Sequence, residues 1–510
     1  MAFLVLRQSI CYSMRFAYRL KNFPFHIAGI IAFFLIHGYS EHIGLIPFLD
    51  LFFFFAVHVL AAGLVFWLFK WRLRSAAKAG LLTTFIFTFY LFYGAIADFL
   101  KGVSFLTWLS HYSSLLPVFL LGVLLLFRYC KRSKGDFQKV TLYLNSVFLF
   151  LIAYDIVSIA LHTGRNNVSG KQGAVISATA GHFEKKPDIY FILMDEYSGS
   201  QALKTYFHYD NNGFEQLLKQ QGFFVAASPK CNYTATAYSM AATLSMNYLE
   251  WLRNRKETAI DYATADKVIS DNETMLFLKS KGYTLYNYSI FDIDGQSSRF
   301  NPGLFSFKLK LITAKTLFNR MEKDLLWKVQ LGVGGNVDWI GERMQHKFKA
   351  GNKMVLRLTR EATAIQGPPK FVYSHLLMPH PPFSYDSIGR EMNVNSFNKN
   401  LDPDLLNKAY LQYLVHTNKV VGELIKDLLQ KTNRQAVIIL MSDHGYRSLV
   451  VNGKTIVPDN NFNAVYIPGS NYSYYYDSIS NVNQFRAMFN SVFDTRIPML
   501  PDSCSCYSRF

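Results

Sequence analysis

The sequence predicts an α/β chain in two parts: an N-terminal domain of about five transmembrane helices, then an α/β/α sandwich with a mostly parallel central sheet. Three observations carry this reading. Apolar residues make up 50% of the 510-residue chain and charged residues only 17%, against about 25% charged in an average soluble protein. The apolar content is concentrated in the first third, in runs long enough to cross a bilayer. Beyond it, short apolar runs alternate with amphipathic ones, as strands alternating with helices do.

The apolar runs lie at roughly 25–46, 50–70, 81–100, 108–128 and 140–162, each near the ~20 residues a spanning helix needs. The second begins Leu51-Phe52-Phe53-Phe54-Phe55, and the fourth runs from Leu115 to Phe127 without a charge. The N-terminus lacks a short apolar core followed by a small-residue cleavage site, so no cleavable signal peptide is expected. Arg7, Arg15, Arg19 and Lys21 precede the first run. Lys70, Arg72, Arg74 and Lys78 follow the second, and Arg128, Lys131, Arg132, Lys134 and Lys139 follow the fourth. Basic loops stay in the cytoplasm, so five crossings place everything after residue 163 outside. The expected location is the cell inner (plasma) membrane, multi-pass, with the large domain on the periplasmic or extracellular side. Much of the net charge of +18 flanks these runs, which speaks for a membrane and against a nucleic-acid partner. His37, His58, His111 and Asp155 within the runs are read as residues satisfied by interfaces or neighbouring helices.

Residues 1–165 thus form the transmembrane domain. A linker rich in Gly, Ser, Asn, Ala and Lys covers 166–186. The rest, 187–510, is the sandwich. Strands are expected at 188–194, 223–226, 283–290, 371–377, 436–441 and 464–467. Helices are expected at 213–221, 237–248, 272–281 and 405–430. Residues 300–360 are basic and patterned as a helical insertion.

Three apolar strands run into ligand-type residues. DIYFILM ends in Asp195-Glu196, AVIILM in Ser442-Asp443-His444-Gly445, and FVYSHLL in Met378-Pro379-His380-Pro381. Carboxylate with imidazole is a mixed O/N donor set that suits Zn or Mn. Strands of a parallel sheet bring such ends to one rim. Taken singly, each is equally a turn or a helix cap.

PDIYFILMDEYS at 187–198, CNYTATAYSMAATLSMNYL at 231–249, HLLMPHPPF at 375–383 and VIILMSDHG at 437–445 resemble the alkaline phosphatase superfamily. They resemble in particular its membrane-anchored, sulfatase-like branch of lipoteichoic acid synthases and of phosphoglycerol and phosphoethanolamine transferases. The resemblance implies an alkaline-phosphatase-like sandwich and one divalent metal ion, Zn or Mn. It implies Asp195, Thr236, Asp443 and His444 as metal ligands, with Thr236 also the nucleophile. His380, with His375 and Asn232, would stand on the substrate side. Thr234 is a rival nucleophile and Glu196 a rival ligand. A metal can lower the pKa of a threonine hydroxyl and position it, and a helix N-terminus favours phosphate oxygens.

True sulfatases of this superfamily carry a C/S-x-P-x-R stretch that matures to formylglycine. The corresponding Thr236-Ala237-Tyr238-Ser239-Met240 has neither Pro nor Arg, so phosphoryl chemistry fits better. All 13 His lie at or before His444, whereas two-metal members use a later one. Cys231, Cys504 and Cys506 lie on the outer side, where Cys231 can bond to the tail. The leading expectation is a membrane-bound transferase that moves a substituted phosphoryl head group, phosphoethanolamine or phosphoglycerol, from a phospholipid donor to a glycan or lipid acceptor. The alternatives are a phosphodiesterase, phosphatase or sulfatase-like hydrolase using the same site, and a non-catalytic receptor or scaffold. A transporter is disfavoured, since the runs show no repeat.

Overall fold

A computed structural model describes residues 20–163, 186–252, 258–299, 307–321, 339–392, 394, 402–451 and 453–504. The expected linker, apart from Lys186, lies outside them, as do Arg7, Arg15, Arg19, Cys11 and Cys506. The chain divides into two compact units, one of residues 1–170 with 303–335 and one of 171–302 with 336–510.

The first unit is helical. Its main helices are α1 (His26–Ser40), α2 (Phe48–Leu73), α3 (Ala76–Gly102), α4 (Tyr112–Arg132) and α5 (Gln138–Thr163). Pro47 precedes α2, and the Ser75 hydroxyl caps α3 by accepting from the Lys78 N–H. Four of these helices, α2 to α5, are long and apolar enough to cross a membrane. The expected fifth span falls short. α1 has 15 residues, or about 22 Å of rise against roughly 30 Å of hydrocarbon. Its Ile30, Ile31, Phe34 and Leu35 pack into the helical core instead.

The insertion expected at 300–360 divides between the units. Residues 307–321 form short helical turns on the helical unit, with Leu309 and Ile312 in its core. The Gly94 N–H donates to the Lys315 carbonyl at 2.7 Å, and Arg320 pairs with Asp98 at 2.5 Å. Gly38 makes room for Ile312, whose Cγ2 would lie 2.6 Å from a Cβ there. The rest of the insertion is one helix (Trp339–Glu361) of the second unit.

The second unit is an α/β/α sandwich. Its six-stranded sheet has the order β2-β8-β5-β1-β4-β3, with β1 (Ile189–Met194), β2 (Phe224–Val225), β3 (Thr284–Tyr288), β4 (Lys370–Leu376), β5 (Val437–Met441) and β8 (Asn463–Tyr466). The four strands β5, β1, β4 and β3 are parallel; β8 pairs antiparallel with β5, and β2 in turn pairs antiparallel with β8. The central strands are wholly buried, as strands covered on both faces must be. A hairpin of β6 (Leu449–Val451) and β7 (Lys454–Ile456) stands apart. On one face, Ile189, Phe191, Leu193, Phe371 and Ile439 pack with α6 (Thr236–Ser245) and the helix Gln484–Phe493. On the other, Tyr190, Ile192, Val372 and Ile438 pack with the helix Pro403–Lys431.

Candidate active site

β5, β1 and β4 lie side by side and run the same way. Their carboxyl ends therefore share one rim, where sites in such sheets form. Alternation sends every second side chain to the same face. Leu193, Tyr373 and Met441 pack on the face that carries α6. Asp195, His375 and Asp443 each follow two residues later. Three strands, distant in sequence, thus deliver two acids and an imidazole to one side of one rim.

Thr236 is the first residue of α6, and its Oγ1 lies 3.1 Å from His444 Nε2. The N–H groups of that first turn, which point out of the helix end, add partial positive charge beside the hydroxyl. Asp195, Asp443 and His444 are all buried and bring one ligand atom each within 4.8 Å of one another. Asp195 Oδ2 faces His375 Nε2 at 3.1 Å, and Asp443 Oδ1 accepts the Glu196 N–H at 3.1 Å. Their other oxygens, Asp195 Oδ1 and Asp443 Oδ2, are buried with no hydrogen-bond donor. His444 Nδ1 donates to the Gly445 carbonyl at 2.9 Å, which leaves a lone pair on Nε2. That nitrogen lies 3.0 Å from Asp443 Oδ2, and lone pairs so placed repel unless a proton or a cation stands between them. Buried lone pairs without donors are costly on their own. Two carboxylate oxygens and an imidazole nitrogen are also a set that holds Zn or Mn, so these residues fit a divalent cation.

The charges reinforce one another. Burial works against an ionised Asp443, yet His444 and then His375 hold its carboxyl well below the usual range. Burial likewise disfavours a charged His444, but the Asp443 carboxylate outweighs it and raises the imidazole. The Asp443 loop is tied down from several sides. Its carbonyl accepts from Ser239 Oγ at 2.7 Å and from Asn481 Nδ2 at 2.9 Å. Ser442 Oγ donates to the Tyr197 carbonyl at 2.7 Å. Gly445 follows because a Cβ there would lie 3.1 Å from the Pro458 carbonyl oxygen.

The sequence matches the Sulfatase family over residues 187–486, more than half of the chain. The chain belongs to this family. As a sulfatase-family protein it is a sulfatase-like enzyme of the alkaline phosphatase superfamily. No curated protein matches its sequence. Among solved structures it is similar to the zinc complex of the C-terminal periplasmic domain of EcEptC from Escherichia coli, with 12% identity and a TM-score of 0.38 over 62% of this chain and 85% of that one. It is similar to the corresponding domain of the phosphoethanolamine transferase EptC from Campylobacter jejuni, with 16% identity and a TM-score of 0.36 over 62% and 91%. It is also similar to a phosphonate monoester hydrolase of Agrobacterium radiobacter, with 12% identity and a TM-score of 0.36 over 60% and 74%.

Within this sulfatase-family site the expected residues fare differently. Of the two adjacent acids, Asp195 enters the three-residue cluster. Glu196, with a φ of 62°, binds Arg447 Nε through Oε1 at 2.6 Å and keeps Oε2 buried without a donor. Of the two threonines, Thr236 touches His444, while Thr234 lies in the loop ahead of α6. His375, expected on the substrate side, is fully buried and faces Asp195. His380 is half-buried, its Nδ1 2.5 Å from the Pro381 carbonyl oxygen and its Nε2 3.5 Å from Arg447 Nη2. Asn232 is not drawn in. Its amide is buried and engaged at both ends, donating to Tyr248 Oη and the Ser503 carbonyl and accepting from the Val482 N–H. Cys231 is buried with a free thiol rather than bonded to the tail. Arg447 is the residue that sequence reasoning missed. Its only signal is its position, three residues after His444 in the same loop.

Proposed function

We propose that this protein transfers a substituted phosphoryl head group from a phospholipid to a hydroxyl acceptor through a phospho-threonine at Thr236. One observation carries the proposal: Asp195, Asp443 and His444 converge on a donor-free buried space beside the Thr236 hydroxyl. Those three residues and Thr236 would hold one divalent cation, Zn or Mn. That ion would supply Lewis acidity and lower the pKa of the hydroxyl. His375 orients Asp195. The N-terminus of α6 favours the anionic phosphoryl group. In the first displacement a bond forms from Thr236 Oγ1 to phosphorus and the bond to the diacylglycerol oxygen breaks. The leaving oxygen takes a proton from His380, and the threonine proton passes to solvent. In the second, the acceptor hydroxyl gives its proton to His380 and bonds to phosphorus, the bond from phosphorus to Thr236 Oγ1 breaks, and that oxygen takes a proton back from solvent. Water as acceptor makes the same site a hydrolase.

A membrane location supports a lipid donor, because donor and site then share one surface. We also propose the outer, periplasmic or extracellular side for the catalytic unit. This does not depend on α1. The connection from α4 to α5, with Lys131 and Arg132 in the last turn of α4 and Lys134 after it, stays inside, so α5 leads outward whatever precedes it. Residues 307–321, which come later in the chain, pack near Gly94 and Asp98, at the end of α3 away from the basic loop at 70–78.

The test is mass spectrometry of the detergent-purified full chain after incubation with phosphatidylethanolamine or phosphatidylglycerol vesicles. A head-group phosphoryl adduct on Thr236 is expected, together with a stoichiometric metal in elemental analysis. Thr236→Ala should lose the adduct and about 10⁴-fold or more in kcat. Turnover without any adduct on Thr236 would overturn the two-step reading.

A further inference from the structure

Arg447 has no role in the chemistry above, yet its guanidinium lies among the site residues, against Glu196 and His380. Its Nε is engaged by Glu196 Oε1 at 2.6 Å, and its Nη2 lies 3.5 Å from His380 Nε2. Among the described residues Nη1 has no hydrogen-bond partner, so a planar fork with five donors keeps part of its capacity unused. The side chain is 28% exposed while its Glu196 partner is 2% exposed. One end is therefore anchored in the protein and the other reaches the opening. α6 offers no basic side chain in its sequence TAYSMAATLS, so the nucleophile's own helix brings only the partial charge of its N-terminus to a bound anion.

We propose that Arg447 is the anion clamp of this site, a substrate-binding residue whose free guanidinium edge takes a non-bridging oxygen of the phosphoryl group at Thr236. Glu196 is its positioning residue. This rests on the reading of Thr236 as the phosphoryl acceptor and names the substrate class more closely. Asp195, Glu196 and Asp443 bring three negative charges. Arg447 and one divalent cation bring three positive ones, so the loaded site is neutral. A neutral site accommodates a singly charged phosphodiester, such as a phospholipid head group, with less residual charge than a doubly charged phosphomonoester. A guanidinium fork suits a phosphoryl edge better than an ammonium does.

The experiment uses the full chain in detergent with Arg447→Ala and Arg447→Lys. Binding of inorganic phosphate is read by calorimetry. Turnover is read with bis(4-nitrophenyl) phosphate and 4-nitrophenyl phosphate. Metal content and melting temperature report the fold. Arg447→Ala is expected to weaken phosphate binding about 10-fold, with Arg447→Lys in between. The loss in kcat/KM is expected to reach about 100-fold for the monoester and to be smaller for the diester, because a contact with the anion scales with its charge. If Arg447→Ala loses its metal or its fold, Arg447→Lys, which keeps the charge, carries the same comparison. Phosphate binding within about two-fold of wild type, or equal losses on both esters, would overturn the clamp. Failure of the threonine reading looks different: Arg447-dependent phosphate binding would persist while Thr236 never gains an adduct.

Discussion

Each unit of this chain contains a histidine facing a buried aspartate. In the helical unit His37 Nδ1 lies 3.3 Å from Asp155 Oδ1, and in the catalytic unit His375 Nε2 lies 3.1 Å from Asp195 Oδ2. In both, the second carboxylate oxygen is buried without a donor. The difference lies in what surrounds them. Asp195 has Asp443 and His444 within ligand distance and a helix N-terminus with a hydroxyl close by. Asp155 belongs to no such cluster among the described residues, and His37 is 47% exposed. Two-residue chemistry does not make a site; three separate strands ending together do.

The largest expected effect separates the two pairs by metal. Chelation of the purified protein should abolish turnover and lower its stability, by about 4 kcal/mol where free ion had exceeded Kd roughly 1,000-fold. Thermal melting with and without chelator measures this. Asp443→Asn should make the protein insensitive to chelator, and a wild-type melt that chelation leaves unmoved would break the comparison. Next, His375→Ala should cost about 10- to 100-fold in metal affinity, as loss of a ligand's hydrogen-bonded brace does, whereas His37→Ala should leave it unchanged. Competition with a metal-binding dye reads both. Smaller again, Asn232→Ala should cost about 1–3 kcal/mol of stability by leaving the buried Val482 N–H without its acceptor. The KM for the phospholipid donor should stay put, and a raised KM would return Asn232 to the substrate side. The smallest effect is expected from Asp155→Asn, about 0.6 kcal/mol as for an average polar contact between membrane helices, read as the melting of the full chain in detergent.

Local pattern carried much of this molecule. Long apolar runs identified α2 to α5, because a bilayer demands length and hydropathy whatever the packing. The buried strands β1, β4 and β5 were legible as short apolar runs, and Asp195, Asp443 and His444 stood out because ligand-type residues recur at the ends of separate strands that a parallel sheet brings to one rim. Where the pattern was ambiguous, reading failed. Residues 25–46 are apolar enough for a span, but the helix ends at Ser40. The basic tract at 300–360 read as one insertion, although its first part packs on the helical unit and its second on the sheet.

Composition and spacing by themselves determined that the chain is a membrane protein with an α/β domain and a candidate cation site, since hydropathy and strand-end residues are properties of short stretches. Which acid joins the cluster, that His375 faces it, that the Asn232 amide is engaged by Tyr248, Val482 and Ser503, and that Arg447 meets Glu196 and His380 were decided only by tertiary structure. Those facts depend on which strands become neighbours and which face each side chain takes, and both are set by packing between residues hundreds of positions apart.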